Sequence, residues 1–170
     1  VGLKNAIAAG STYTALAGNT AFSTLDLDDF EGMVGLLPQY AVAGARWYVS
    51  RAGWANSMLR LAEAAGGNTV AQIAGGAPLQ FLGFPVEIVQ VMNSTLTAQT
   101  STSGLAYLAN LDLAASMGSR RGISIAVDGS RYFEYDQLAI RGTERFDINV
   151  HERGTSTVAG PVVMLKTPAS

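Results

Sequence analysis

The chain has 170 residues, 48% of them hydrophobic and 14% charged, with a net charge of −2 and no cysteine. This balance excludes a disordered, charge-rich polypeptide and leaves no electrostatic footprint for reading nucleic-acid sequence. The missing cysteine removes disulfides, thiolate catalysis and cysteine-ligated zinc together. No apolar run reaches the roughly 18 residues of a membrane span.

The opening VGLKNAIAAG has neither an initiator methionine nor a signal-peptide core, and reads as the cut edge of a longer chain. Residues 1–22 are Ala-, Gly-, Ser- and Thr-rich and are expected to form an extended or loosely packed lead-in. The first firm element lies in LDLDDFEGMVGLL. Asp26 caps a helix whose first turn holds Asp28 and Asp29, and Phe30, Met33, Val34 and Leu37 recur at helical spacing up to Pro38. ARWYVS (45–50) predicts a strand, and Ser50 caps a helix through WANSMLRLAEAA that stops at Gly66-Gly67.

A loop spans 68–80. FLGFPVEIVQ then turns at Gly83 and Pro85 into a strand over about 85–91, with Val86, Ile88 and Val91 as its apolar bulk and Glu87 and Gln90 out of step. NSTLTAQTSTSG is a loop by composition, and its Asn93-Ser94-Thr95 sequon carries no weight without a secretion signal. LAYLANLDLAAS predicts a strand and a short helix or turn. SRRGISIAVD is a strand with Ile123, Ile125 and Val127 on one face, half-buried in expectation, and SRYFEYDQ is a short connection. Phe146, Ile148 and Val150 alternate with Arg145, Asp147 and Asn149, the clearest β signal in the chain. Gly142 suggests a bulge or bend within it, and GPVVMLK is a last apolar strand. The order α, β, α, β, β and a β-rich tail predicts an α/β (α+β) domain with an antiparallel end piece.

Candidate chemistry is sparse. GISIA (122–126) approaches the G-x-S-x-G nucleophile elbow, with Asp128 or Asp136 and the only histidine, His151, following in hydrolase order. An elbow needs a helix straight after its serine, whereas Ser124 sits inside a strand pattern and the second glycine is Ala126. His151 has no partners at metal-ligand spacing and is expected to be exposed. DLDD (26–29) lacks the glycine and glutamate of a calcium loop, and Gly66-Gly67 and Gly75-Gly76 form no phosphate-binding loop. No catalytic, cofactor-binding or metal-ligating set is therefore assigned. Arg120, Arg121, Glu144, Arg145 and Asp147 are polar groups on strands otherwise built to be buried on one face, and they are the candidate subunit-contact residues.

Taken in order, GLKNA, LDDFEGMVGLL, ARWYVSRAGWANSMLRLAEAAGG, GGAPLQFLGFPVEIVQVM, LAYLANLDLAASMGSRRGISIAVD and LAIRGTERFDINVHERGTSTVAGPVVMLKT resemble the C-terminal half of the major capsid proteins of tailed bacteriophages. The resemblance covers essentially the whole chain. It implies a lead-in over 1–22, an axial domain over 23–130 with a mixed sheet flanked by helices, and strands of the peripheral domain over 131–170. It also implies self-assembly into hexamers and pentamers of an icosahedral head shell around double-stranded DNA, in the virion and, during assembly, the host cytoplasm. Scaffolding or portal proteins would be partners; sequence-specific nucleic acid and membranes would not.

The family's N-terminal arm, extended hairpin and spine helix would precede Val1, so the 170 residues alone are not expected to close shells. Some members weld their shells through a lysine–asparagine isopeptide bond promoted by a glutamate. The asparagine and glutamate positions fall near Asp136 and Thr143, neither of which fits its role, so no crosslinking is expected. Encapsulin-like shell proteins, which share the fold and package enzymes, are the alternative reading. A serine hydrolase using Ser124 and His151 is the alternative from another class.

Overall fold

The computed structural model describes residues 3–66, 79–99 and 104–168. Gly67, Gly75, Gly76 and most of the loop expected over 68–80 lie outside the described residues, as does the end of the Ser/Thr-rich segment. The chain divides into two compact units, one of residues 1–114 with 150–170 and the other of residues 115–149. That division differs from a boundary near 130. The C-terminal strand belongs with the first unit because its hydrogen-bonding partners are there.

In the first unit, helix α1 (Leu3–Ala6), a 3-10 turn (Ala9–Ser11) and strand β1 (Thr12–Thr14) lead to helix α2 (Leu27–Leu36). Strand β2 (Arg46–Val49) follows, then α3 (Arg51–Trp54), a π-helical turn (Ala55–Leu59) and α4 (Arg60–Ala64), which run on as one helix. Ser50 caps that helix, its Oγ accepting from Gly53 N–H at 3.1 Å, and Gly66 at φ +73° ends it. Strands β3 (Gln80–Phe81), β4 (Phe84–Ile88) and β5 (Gly104–Ala109), helix α5 (Leu111–Ala114) and the terminal β8 (Val162–Lys166) complete the unit.

The sheet order is β1-β8-β5-β2-β4-β3. β1 is parallel to β8 and β2 to β4; the β8/β5, β5/β2 and β4/β3 pairs are antiparallel. This is the mixed α/β architecture expected. It departs from expectation at the start: the described part of the lead-in, residues 3–22, is not loosely packed. Thr12–Thr14 pair with Met164–Lys166, and Ser11, Ala15, Ala21 and Phe22 are buried. Buried Ser11 donates through Oγ to the Arg153 carbonyl at 3.2 Å and accepts from Gly160 N–H at 2.7 Å, tying the first turn to the last loop.

Alternation decides which face of the sheet is filled. Trp47 and Val49 of β2, Val163 and Leu165 of β8, and Leu105 and Leu108 of β5 meet Phe22, Phe30, Met33 and Met58 in the main core. Leu105 and Leu108 share that face despite their odd spacing because a register shift between Gly104 and Ala106 re-phases β5. The Trp47 ring stands edge-on to Phe30 and Phe81 at 5.6 and 6.0 Å, and its Nε1–H donates to the Phe81 carbonyl at 2.9 Å. The indole thus contributes apolar bulk without stranding its polar atom. On the opposite face a smaller cluster of Ala109, Ala114 and Val162 packs with Leu3, Ile7, Tyr48, Tyr107 and Leu111.

The FLGFPVEIVQ stretch is a two-residue hairpin. Phe81 pairs with Phe84 across Leu82 and Gly83, which both have positive φ, at 48° and 82°. Its strand ends at Ile88, short of the expected 91. Val86 is buried, Ile88 is 41% exposed, and Val91, expected to supply core bulk, is 96% exposed. Glu87 is at the surface as its phase predicts and pairs with Arg46 at 2.6 Å.

The second unit is a two-stranded sheet of β6 (Ala115–Asp128) and β7 (Ala139–Val150), joined through residues 129–138 with a 3-10 turn at Phe133–Tyr135. β7 runs without interruption through Gly142. The expectation that these strands are half-buried fails. Ile123, Ile125, Val127, Ile140, Phe146 and Ile148 are all between 53% and 72% exposed, because two strands alone leave both faces of their sheet uncovered.

Candidate functional site

Ser124 lies inside β6, which continues four residues further to Asp128, so no helix follows it and the nucleophile elbow cannot form. Asp128 serves a turn: its Oδ1 accepts from the Ser130 hydroxyl at 2.7 Å and the Ser130 amide at 2.9 Å, which lowers its pKa. His151 is exposed, as expected, and belongs to the first unit. The two positions weighed for isopeptide chemistry, Asp136 and Thr143, are both exposed. The described residues contain no group of three side chains placed to hold a metal, and no helix among them is long and apolar enough to cross a membrane.

The acidic start of α2 does structural work. Buried Asp29 accepts from Leu16 N–H at 2.8 Å, Asn19 Nδ2 at 2.6 Å and Asp26 N–H at 3.1 Å, so its carboxylate joins the incoming loop to the helix start. A charged helix start with a capping role, rather than a calcium loop, is what these contacts build.

The five expected contact residues, Arg120, Arg121, Glu144, Arg145 and Asp147, are all exposed on the two-stranded unit. Arg121 of β6 and Glu144 and Arg145 of β7 line one open depression of 430 Å³ together with Arg141 and Thr143; Arg120 and Asp147 do not line it. Sequence reading missed Arg141, whose place two strand positions from Thr143 and four from Arg145 puts all three on one face of β7. It also missed the exposed aromatic turn, where Phe133 is 84% and Tyr135 66% exposed. The spacing of Ile123, Ile125 and Val127 marked one apolar face, yet among the described residues no third strand joins β6 and β7, which leaves that face open.

A second surface feature belongs to the first unit. A groove of 620 Å³ lies over the less covered face of its sheet, lined among others by Leu3, Tyr48, Val91, Met92, Tyr107 and Leu111. Tyr48 and Tyr107 are cross-strand partners, and burial raises both phenol pKa values. Among the described residues no carboxylate lines the groove.

Exposed apolar side chains and an arginine-lined depression are the surface features of the β6–β7 unit. The phage capsid family model matches residues 2–153, and the chain belongs to that family. Among solved structures, the chain is similar to the capsid of an empty GTA particle, with a TM-score of 0.59, 14% identity, and coverage of 93% of this chain and 49% of that one. A Mycobacterium phage Adephagia structure matches with a TM-score of 0.54 and 19% identity over 100% of this chain and 55% of that one. The capsid of a native GTA particle matches with a TM-score of 0.57 and 14% identity over 92% and 54%. The chain thus spans about half the length of the solved structures it matches. No curated protein matches it.

Proposed function

We propose that this chain is the C-terminal half of the major capsid protein of a phage or prophage, a structural subunit that self-assembles into the hexamers and pentamers of an icosahedral head shell around double-stranded DNA. The observation that carries the reading is the family match over residues 2–153. The exposed apolar face of the β6–β7 unit supports it, since contiguous apolar surface of this kind marks an interaction site. The role is non-enzymatic, the mature location is the virion, and scaffolding and portal proteins are partners during assembly in the host cytoplasm. The first unit is read as the axial domain and the β6–β7 unit as part of the peripheral domain. Arg120, Arg121, Glu144, Arg145 and Asp147 are read as subunit contacts.

The test is expression of the complete subunit followed by electron microscopy of the purified product. Regular icosahedral shells are expected, and their contents separate a DNA-filled head from an enzyme-loaded compartment. A subunit that stays monomeric across salt and pH would overturn the proposal.

A further inference from the structure

The β6–β7 unit is electrically uneven along its length. Between Asp128 and Asp136, three carboxylates (Asp128, Glu134, Asp136) face one guanidinium, Arg131, which already lies over the Tyr132 ring at 5.8 Å from its centroid. Nearer the middle of the strands, three guanidiniums (Arg121, Arg141, Arg145) and one carboxylate, Glu144, line the 430 Å³ depression. Among the described residues none of these charges forms an ion pair within the chain.

The turn is shaped in advance. The Tyr135 and Gln137 amides both donate to the Tyr132 carbonyl, at 3.0 and 3.3 Å, and the Asp136 amide donates to the Phe133 carbonyl at 3.2 Å. This presents Phe133, Glu134 and Tyr135 outward as an aromatic and acidic knob. Arginine recognises both parts of such a knob, the carboxylates through charge-assisted hydrogen bonds and the ring faces by stacking. Arg121 lies seven positions from Asp128, about 23 Å along β6, and Arg145 six positions from Ala139, about 20 Å along β7. These two guanidiniums are therefore out of reach of the turn's carboxylates within one chain; Arg141, two positions into β7, is nearer.

We propose that the aromatic-acidic turn around Phe133–Asp136 of one copy docks in the arginine-lined depression of a second copy. The contact is head-to-tail, because knob and depression are different patches, and such contacts propagate into rings or extended arrays. The proposal rests on the shell reading and deepens it by naming the two complementary surfaces.

Cysteine trapping tests it, since the 170 residues contain no cysteine. Gln137→Cys, just before β7, and Thr143→Cys, within it, leave the charges and rings intact, and the roughly 13 Å of strand from Ala139 to Thr143 keeps them too far apart to bond within a chain. Assembled particles of the complete subunit carrying both are expected to give a ladder of disulfide-linked multimers on a non-reducing gel, with each single variant giving none. Particles with normal yield and no ladder overturn the docking while leaving the shell reading intact. Failure of the parent subunit to form particles at all removes the shell reading and the docking with it.

Where the cysteine pair itself blocks assembly, charge exchange decides. Glu134→Arg with Asp136→Arg should lower particle yield at least roughly ten-fold. Adding Arg141→Glu and Arg145→Glu should restore it. Unchanged yield with the reversed turn, or no recovery on exchange, overturns the proposal.

Discussion

Asp29 holds three N–H donors from residues 16, 19 and 26, and it is fully buried. Asp29→Ala strands those donors, so unfolding in urea should show a loss of about 2–3 kcal/mol. Asp29→Asn, which keeps one oxygen acceptor, should lose less; equal losses would mean that packing dominates. Leu82 presents the opposite case. It carries φ +48° in a two-residue turn, a conformation that costs a branched L-residue about 1 kcal/mol and that asparagine tolerates. Leu82→Asn should therefore stabilise by about 0.5–1 kcal/mol in the same assay. A loss would show that the 38% exposed leucine contributes packing that outweighs its strain.

Among the elements, β6 and β7 and their connecting turn are where pH should act. The Ser130 hydroxyl, then its amide, stabilise the ionised Asp128 side chain and lower its pKa. A lowered folded pKa means that the contact is fully formed above the ordinary aspartate value and is lost as pH falls through the lowered one. The carboxylate is fully exposed, so this is a local ordering effect. The Ser130 amide resonance, followed on acid titration, should move with a midpoint below that of a free aspartate. A midpoint at or above the free value contradicts the turn.

The elements also show what local pattern reveals. The α2 start, the Ser50 cap and the alternation of β7 involve residues within a few positions of one another, and all three were legible. The turn at 129–138 was read as a bare connection because nothing local says that its rings have no core to enter.

At the scale of the whole chain, the two units should differ in how well they protect their backbones. β5 and β8 are paired on both sides within a six-stranded sheet whose apolar face is filled. Among the described residues, β6 and β7 pair only with each other. In the isolated chain, amides of β6 and β7 should exchange with deuterium at least roughly ten-fold faster than those of β5 and β8, a gap that should narrow in assembled particles. Equal protection in the isolated chain would show that the apolar face of the pair is already covered. The same difference explains the missed burial of Ile123 and Ile125. Period-two alternation shows that a strand has an apolar face, and only the count of neighbouring elements shows whether that face is filled.

By itself the sequence determined the helix that starts after Asp26, the helix capped by Ser50, most of the strands and a turn at Gly83, because each follows from side-chain spacing or residue chemistry over a few positions. Tertiary structure alone decided that residues 12–14 join the sheet beside residues 164–166, that Ser11 bonds the loop at 153–160, and that Arg121 meets Arg141 and Arg145 around one depression. Those outcomes depend on partners that strand pairing brings together from distant positions, up to about 150 residues apart in the first two cases, a separation that no local periodicity records.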